Sequence, residues 1–561
     1  MEEKNVRALR YLGHVGVATA FAGTLLLSAQ APLSAHTIQA KGMPTIRMGY
    51  LANNAKWVPT MDPAEITDTA SSDVAHMINA NLVQLEPNAA LKPQLAKSWT
   101  ISKSKKVYTF HLKNAHFSNG DKVTAQDVVF SIRRALSKKA ASPVNYYDAL
   151  LQGYNNYVAG KSGYLGVKAL NASTVQMKLS APAVYFLFAL TYDVNDVLDP
   201  RVVRGTPVGT GGPYLTTTCK ANVGAGPFKP VCVNNKTNDV TSFYKAGTSP
   251  TLTLVPNSHF YGKKAHVRVV LPAIDSYDTS YREFQAGGIQ ETTLPTTDIK
   301  GWKGKKAYFH YPSSGIEYLA PNEKARPFNN VHCRLAVAYA INRKALAGKV
   351  LNGAYTPLYD VLPPHFLGHL NGHPGVPYYN PTKAKAELKQ CPGGINVTMV
   401  YRHDTTDHEA EASALQGMMA DVGIKFQLKG DTRADWLKVV SAPLQSTHTA
   451  ITYDDWFMDY PDPQDYCDIL LHSHSTYNIQ GFDDPAYDRL IDRARTDSNV
   501  ASRGRLYATA QKIVLNNGAF IGMTNYGNFT LVSPHVHGFV GSFSLGDVYP
   551  KNNDWSKVYV K

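Results

Sequence analysis

The sequence predicts a mixed α/β protein of more than one lobe, and three observations lead there. At 561 residues the chain exceeds what a single hydrophobic core ordinarily serves, so about two or three domains are expected. Short alternating or β-branched stretches recur between stretches of helical apolar spacing, the pattern of sheets packed with helices. Hydrophobic content of 44% and charged content of 18% are ordinary for a chain that buries a core.

The N-terminus sets the compartment. Lys4, Arg7 and Arg10 precede an apolar run from Val15 to Leu27, followed by the small residues of Ala29-Gln30-Ala31 and Leu33-Ser34-Ala35. That is the order of a secretory signal. Residues 1–35 are therefore expected to be a signal peptide cut after Ala35, since Pro32 disfavours a cut after Ala31, and 36–42 a leader. The run is short for a membrane span; an uncleaved N-terminal anchor is the alternative, and no cysteine follows to carry a lipid. The mature chain is expected to be exported, in the periplasm, at the cell surface or outside the cell.

Five cysteines fit an oxidising compartment. Cys219 and Cys232 flank a short loop and are the first predicted disulfide, Cys333 with Cys391 the second, and one thiol is left over. No CxxC spacing occurs, which argues against zinc and redox chemistry. The formal net charge is +14, yet no run of five or more Lys/Arg exists. The charge reads as a solvated surface, and nucleic acid is not expected as a partner.

In chain order, Thr45 to Leu51 alternates as a strand and opens onto a polar loop with Asn53, Asn54 and Trp57. Ser72 to Gln84 carries Val74, Met77, Ile78 and Leu82 at helical spacing. Val107 to Leu112 is a strand, and Asn119-Gly120 supplies the positive φ of a turn. Thr124 with Asp127 is a capping box opening a helix whose buried stripe is Val128, Ile132 and Leu136. Asn396 to Tyr401 is a strand ending at Arg402.

Ala450-Ile451-Thr452 reads as a strand end, and Pro461 and Pro463 forbid a helix after it. Tyr453 to Asp468 is thus predicted as a loop leaving a strand. It holds six aspartates, three tyrosines and a tryptophan, with no Lys or Arg. Rings beside uncompensated carboxylates suit an amphipathic ligand with an ammonium group; the plainer alternative is an acidic surface loop with packed aromatics.

Several blocks occur in a specific order: Pro93-Gln94-Leu95-Ala96-Lys97-Ser98-Trp99, Tyr108-Thr109-Phe110-His111-Leu112, Phe117-Ser118-Asn119-Gly120-Asp121, Gly224-Ala225-Gly226-Pro227-Phe228, Pro327-Phe328-Asn329-Asn330-Val331 and Tyr379-Asn380-Pro381. Together they resemble the family 5 solute-binding proteins of ABC importers, the peptide/nickel-binding group, over nearly the whole mature chain. The segment 209–248 is expanded relative to that pattern, and Phe284 to Gln290 lacks the family's acidic residues.

The resemblance implies a two-lobed periplasmic-binding-protein fold of the class C type. Lobe I would comprise 43–82, 200–320 and 526–561, an extra domain 83–199, and lobe II 321–525, with hinge crossings near Leu319 to Asn322 and Thr524 to Gly527. It implies a monomeric receptor that delivers short peptides to permease subunits served by a separate ATPase. Its membrane association would come through the permease or the N-terminal anchor, with no cofactor, no metal and no catalysis. A nickel chelate or a sugar is the alternative ligand. A secreted hydrolase is the alternative class, for which no nucleophile and base spacing is found.

In peptide-binding relatives an aspartate after a Trp-containing strand end holds the ligand's α-ammonium, and Trp456-Phe457-Met458-Asp459-Tyr460 matches that arrangement. Asp459 is therefore the expected anchor, with Trp456 and Tyr460 as cleft walls and Tyr453, Asp454 and Asp455 as further candidates. Arg402 is the candidate for a peptide carboxylate, with a surface salt bridge as its alternative. Asn53 and Trp57 follow the first strand, where relatives line the cleft; Tyr318 and Asn322 sit beside the expected hinge. His365, His369 and His373 repeat every four residues, but Pro363, Pro364 and Gly368 break any helix that would align them, which favours a loop role over a metal.

Overall fold

The structure is a computed structural model that describes residues 42–51, 60–67, 69–86, 90–204, 222–231, 251–274, 277–370, 376–403, 406–441, 449–475, 477–538 and 554–561. The expected signal peptide, Asn53, Trp57, Cys219, Cys232, His373 and most of the 209–248 expansion lie outside them. Among the described residues, no helix is long and apolar enough to cross a membrane.

The N-terminal stretch lays its short strands against a later one. Thr45–Arg47 and Tyr50–Leu51 both run parallel to Arg268–Ile274, which pairs antiparallel with Thr251–Pro256 and through it with Phe228–Pro230. The single strand predicted over 45–51 is thus two pieces, because Met48 between them bridges to Glu291 instead. The helix Thr69–Ile78 buries Val74, Met77 and Ile78 in the core of this sheet. It stops short of the predicted Gln84 because Asn79 and Asn81 turn outward to bond Asp196 and the Thr191 carbonyl, at 2.9 Å each. Leu82 is still buried, but beside the strand Val83–Leu85. Gly224 and Gly226 pass so close to the end of this helix that a Cβ on either would strike the backbone of Ile78 or Asn79. The Gly226 N–H caps the Ile78 carbonyl at 2.8 Å.

A second, antiparallel sheet orders Ala96–Ile101, Val107–Leu112, Thr174–Lys178 and Val167–Asn171. Tyr108, Phe110 and Leu112 point inward with strict alternation. The helix Ala125–Ala135 begins as expected: the Asp127 carboxylate accepts the Thr124 N–H at 2.7 Å. Val128, Ile132 and Leu136 are buried against the sheet.

The large sheet orders Glu291–Thr293, Ile521–Val532, Tyr308–Pro321, Ile451–Trp456, Asn396–Arg402 and Lys425–Asp431. Its last three strands are mutually parallel. The helix Val331–Ala340 packs behind them, and Cys333 is disulfide-bonded to Cys391 beyond the helix Pro381–Lys389, the second of the two predicted pairs. Cys467 is a buried free thiol.

Two long strands, Tyr308–Pro321 and Ile521–Val532, run antiparallel through the middle of this sheet. They pair from Tyr308–Leu531 to Pro312–Gly527 and resume at Ile316–Asn525, so Ser313, Ser314 and Gly315 oppose Tyr526 alone. A bulge leaves carbonyls without a ladder partner, and here side chains supply one. Asn525 Nδ2 donates to the carbonyls of Ser313 and Gly315 at 2.9 and 2.7 Å, and the Tyr466 hydroxyl to that of Ser314 at 2.7 Å. Gly315 has room for no side chain, because the Phe457 and Tyr526 rings close on its Cα. Leu319 to Pro321, expected at the hinge, lie in the regular ladder with Ile451–Trp456; against Ile521–Val532 the register shifts twice, at 313–315 opposite Tyr526 and between Glu317 and Tyr318.

Candidate functional site

Arg402, Asp431 and Trp456 end the three parallel strands. Crevices outside the carboxyl ends of parallel strands are where open α/β sheets take their ligands. Beyond Trp456 the chain does not stay extended throughout. Pro463 precedes one helical turn, Gln464–Cys467, which corrects the expectation of an unbroken loop; a proline at the mouth of a helix gives up only an N–H that had no helical partner.

Three of the six aspartates are compensated by arginines. Arg402 pairs with Asp455 (3.3 and 3.2 Å), Arg503 with Asp462 (2.7 and 2.5 Å) and Arg495 with Asp468 (2.6 Å twice). Those arginines lie 27 to 53 residues away along the chain, so the local charge count was a poor guide. Burial alone would raise Asp468, but Arg495 holds its carboxyl below the usual range. Asp454 is pushed up to about 7 by burial and then by the charge of Asp455, against hydrogen bonds from the Tyr318 hydroxyl and the Asp455 N–H.

Asp459 is half-buried at the rim of this loop, in an aromatic enclosure. Trp456 meets Tyr477 edge-on at 5.5 Å, and Tyr477 meets Tyr146 at 5.3 Å. Burial chiefly, with the neighbouring charge of Asp459 contributing, raises the phenol pKa of both Tyr146 and Tyr477. Tyr146 and Tyr147 come from the turn Asn145–Asp148, inside the expected extra domain. Tyr147 stacks on Tyr192 at 4.1 Å and meets Tyr460 at 5.9 Å; Tyr460 also lies parallel to Tyr185 at 6.2 Å. One continuous hydrophobic core therefore joins the 83–199 region to the segment carrying Asp459.

Four of the expected ligand residues are placed differently. Tyr318, Tyr453, Tyr460 and Asn322 are all 1–2% exposed, with their polar atoms engaged. Tyr318 donates to Asp454 at 2.7 Å and stacks on Phe520. The Tyr453 hydroxyl lies between Glu317 and Glu411, at 2.9 and 2.5 Å. Tyr460 bonds Gln464. Asn322 donates to the Thr449 carbonyl and accepts the Lys324 N–H, an Asx-turn. Their polar atoms are thus committed to protein partners. Along Ile451–Trp456 the side chains alternate, Tyr453 and Asp455 to one side of the sheet, Asp454 and Trp456 to the other.

Arg402 stacks over Trp436 at 5.5 Å and, with Asp455, borders a shallow crevice that also includes His408, Trp436, Tyr453 and Asp454. The Tyr526 hydroxyl bridges Asp455 (3.3 Å) and His408 (3.0 Å). His369 bonds Asp360 at 2.8 Å and the Leu362 carbonyl at 2.9 Å, and His365 takes a left-handed φ of 73°. The sequence reading missed Tyr146, Tyr477 and Asp465; the high tyrosine count, 33, was the one hint of such an enclosure.

Comparison with known proteins agrees with this architecture. The chain is 27% identical over 523 residues to the periplasmic oligopeptide-binding protein OppA of Salmonella typhimurium, covering 89% of this chain and 91% of that one. It is 26% identical over 550 residues to heme-binding protein A of Haemophilus influenzae, covering 93% and 96%. The crystal structure of Haemophilus influenzae OppA in complex with RPPGFSPFR superposes with a TM-score of 0.77 at 22% identity, covering 92% of this chain and 99% of that one. That likeness establishes the two-lobed α/β fold. Residues 90–478 match the model of the bacterial extracellular solute-binding proteins, family 5 (middle), and the chain belongs to that family.

Proposed function

We propose that this protein is the extracytoplasmic receptor of an ABC importer that captures short peptides and passes them to a membrane permease. The observation that carries the reading is the Asp459 carboxylate, held at the rim of an aromatic enclosure formed by Trp456, Tyr146 and Tyr477. A peptide's α-ammonium would find there a partly desolvated counter-charge and ring faces for its first residue. Main-chain hydrogen bonds would carry the remainder of an extended ligand. Arg402 can receive a peptide carboxylate only in competition with Asp455. The receptor performs no chemistry on its ligand. It works in the periplasm or at the cell surface, as a monomer, beside a permease and a separate ATPase.

Calorimetric titration with unmodified short peptides tests this. Asp459→Asn is expected to weaken binding by about tenfold or more, a loss of roughly 1.4 kcal/mol, and N-acetylation of the peptide to weaken the wild type by a similar factor. Equal affinity for free and acetylated peptides would remove Asp459 from the site. Haem belongs in the same titration, because a relative named for haem is as similar as one named for oligopeptides; tight haem binding without peptide binding would reassign the ligand and keep the fold.

A further inference from the structure

Asp465 sits on the helical turn Gln464–Cys467 and is wholly buried. Its Oδ2 accepts two N–H groups of the proposed ammonium site, the Asp459 backbone at 2.8 Å and the Trp456 indole at 3.3 Å. Its Oδ1 has no hydrogen-bond partner among the described residues. An ionised carboxylate here would leave one charged oxygen unsolvated, which is costly. Its neighbours add to that cost: Asp459 and Asp462 face it as like charges, and the phenols of Tyr146 and Tyr460 flank it. The Arg503 guanidinium is held by Asp462. A neutral carboxyl removes the buried charge and so lowers the cost. One oxygen still accepts both N–H groups, and the other carries the proton. Burial first, and the charge of Asp459 second, hold the Asp465 carboxyl well above the usual carboxylate range.

We propose that Asp465 is a positioning residue that keeps its proton while the site is empty and releases it when a cation docks on Asp459. Peptide capture would then be coupled to proton release. This rests on Asp459 being the ammonium anchor. The balance is simple: the Asp465 carboxyl becomes a carboxylate, its proton goes to the buffer, the peptide's ammonium keeps all of its protons, and no bond of the peptide changes. An arriving cation favours the ionised form of a nearby carboxyl. Affinity therefore rises with pH between the pKa of the occupied site and the higher pKa of the empty one.

The experiment is isothermal titration of a panel of unmodified tri- and tetrapeptides at pH 6 in two buffers of different ionisation enthalpy. At that pH a peptide α-amino group, with a pKa of about 7.7–8.0, is already charged, so proton exchange reports on the protein. The wild type is expected to show a buffer-dependent enthalpy with the sign of proton release. Asp465→Asn keeps a carbonyl for both N–H groups but cannot ionise; it should lose both the buffer dependence and the rise of affinity with pH. Asp465→Leu has no acceptor and should bind at least about tenfold more weakly. A wild type that binds without releasing a proton overturns the role of Asp465 whatever the variants do, as does undiminished release in Asp465→Asn. A wild type that binds no peptide of the panel overturns the peptide reading itself, and the coupling with it.

Discussion

Asp459 shows what one residue's sequence context can and cannot reveal. Its place after Trp456 was legible, because a motif of five consecutive residues carries its own geometry. The partners of its neighbours were not, because Arg402, Arg495 and Arg503 reach the loop from three other elements. Buried carboxyls were equally hidden. Burial pushes Asp148 up to about 7, and Glu291 up to about 8 with help from Asp73. Both values exceed those of an unfolded carboxyl, near 4. A carboxyl raised in the folded state favours folding fully below its unfolded pKa, and that contribution is lost as pH climbs through the folded value. The denaturant midpoint is accordingly expected to fall between about pH 5 and pH 8. Asp148→Asn should make the fall shallower, by an amount on the order of one to a few kcal/mol across that range; parallel slopes for variant and wild type would show that Asp148 does not titrate there.

Among the elements, those fixed by local rules were read correctly and those fixed by distant partners were not. The helix Ala125–Ala135 has its cap, stripe and turn within about a dozen residues. The helix Thr69–Ile78 ends early because Asn79 and Asn81 find partners more than 100 residues away, which no periodicity announces. The bulge at 313–315 belongs to the same class. Its three carbonyls are satisfied by Asn525 and Tyr466, and Tyr466 neighbours Asp465 on the turn that fixes the proposed ammonium site. Tyr466→Phe preserves the ring and leaves the Ser314 carbonyl without that donor. The expected cost is about 1–3 kcal/mol of stability, measured by denaturant unfolding, together with weaker peptide binding. A variant as stable as the wild type would mean that another donor replaces the hydroxyl.

For the whole molecule, composition and periodicity gave a mixed α/β chain of several lobes, while the two-lobed arrangement was visible only through the ordered family blocks. The reason is topological: each sheet gathers strands from remote parts of the chain, and Thr45–Arg47 pairs with Arg268–Ile274 across more than 200 residues. The Cys333–Cys391 bond closes a span of 58 residues. Chain-entropy arguments give it up to about 4 kcal/mol. Replacing both cysteines by serine should lower the unfolding free energy by about 2–4 kcal/mol while leaving peptide affinity unchanged; loss of affinity would mean that the bond shapes the site. The two central strands carry a mechanical consequence as well. They are hydrogen-bonded to each other on either side of the 313–315 bulge, like two leaves of a flexure clamped at both ends. Such a pair tilts but does not slide. Whatever bends one strand bends the other with it, and the register between them is kept through the motion.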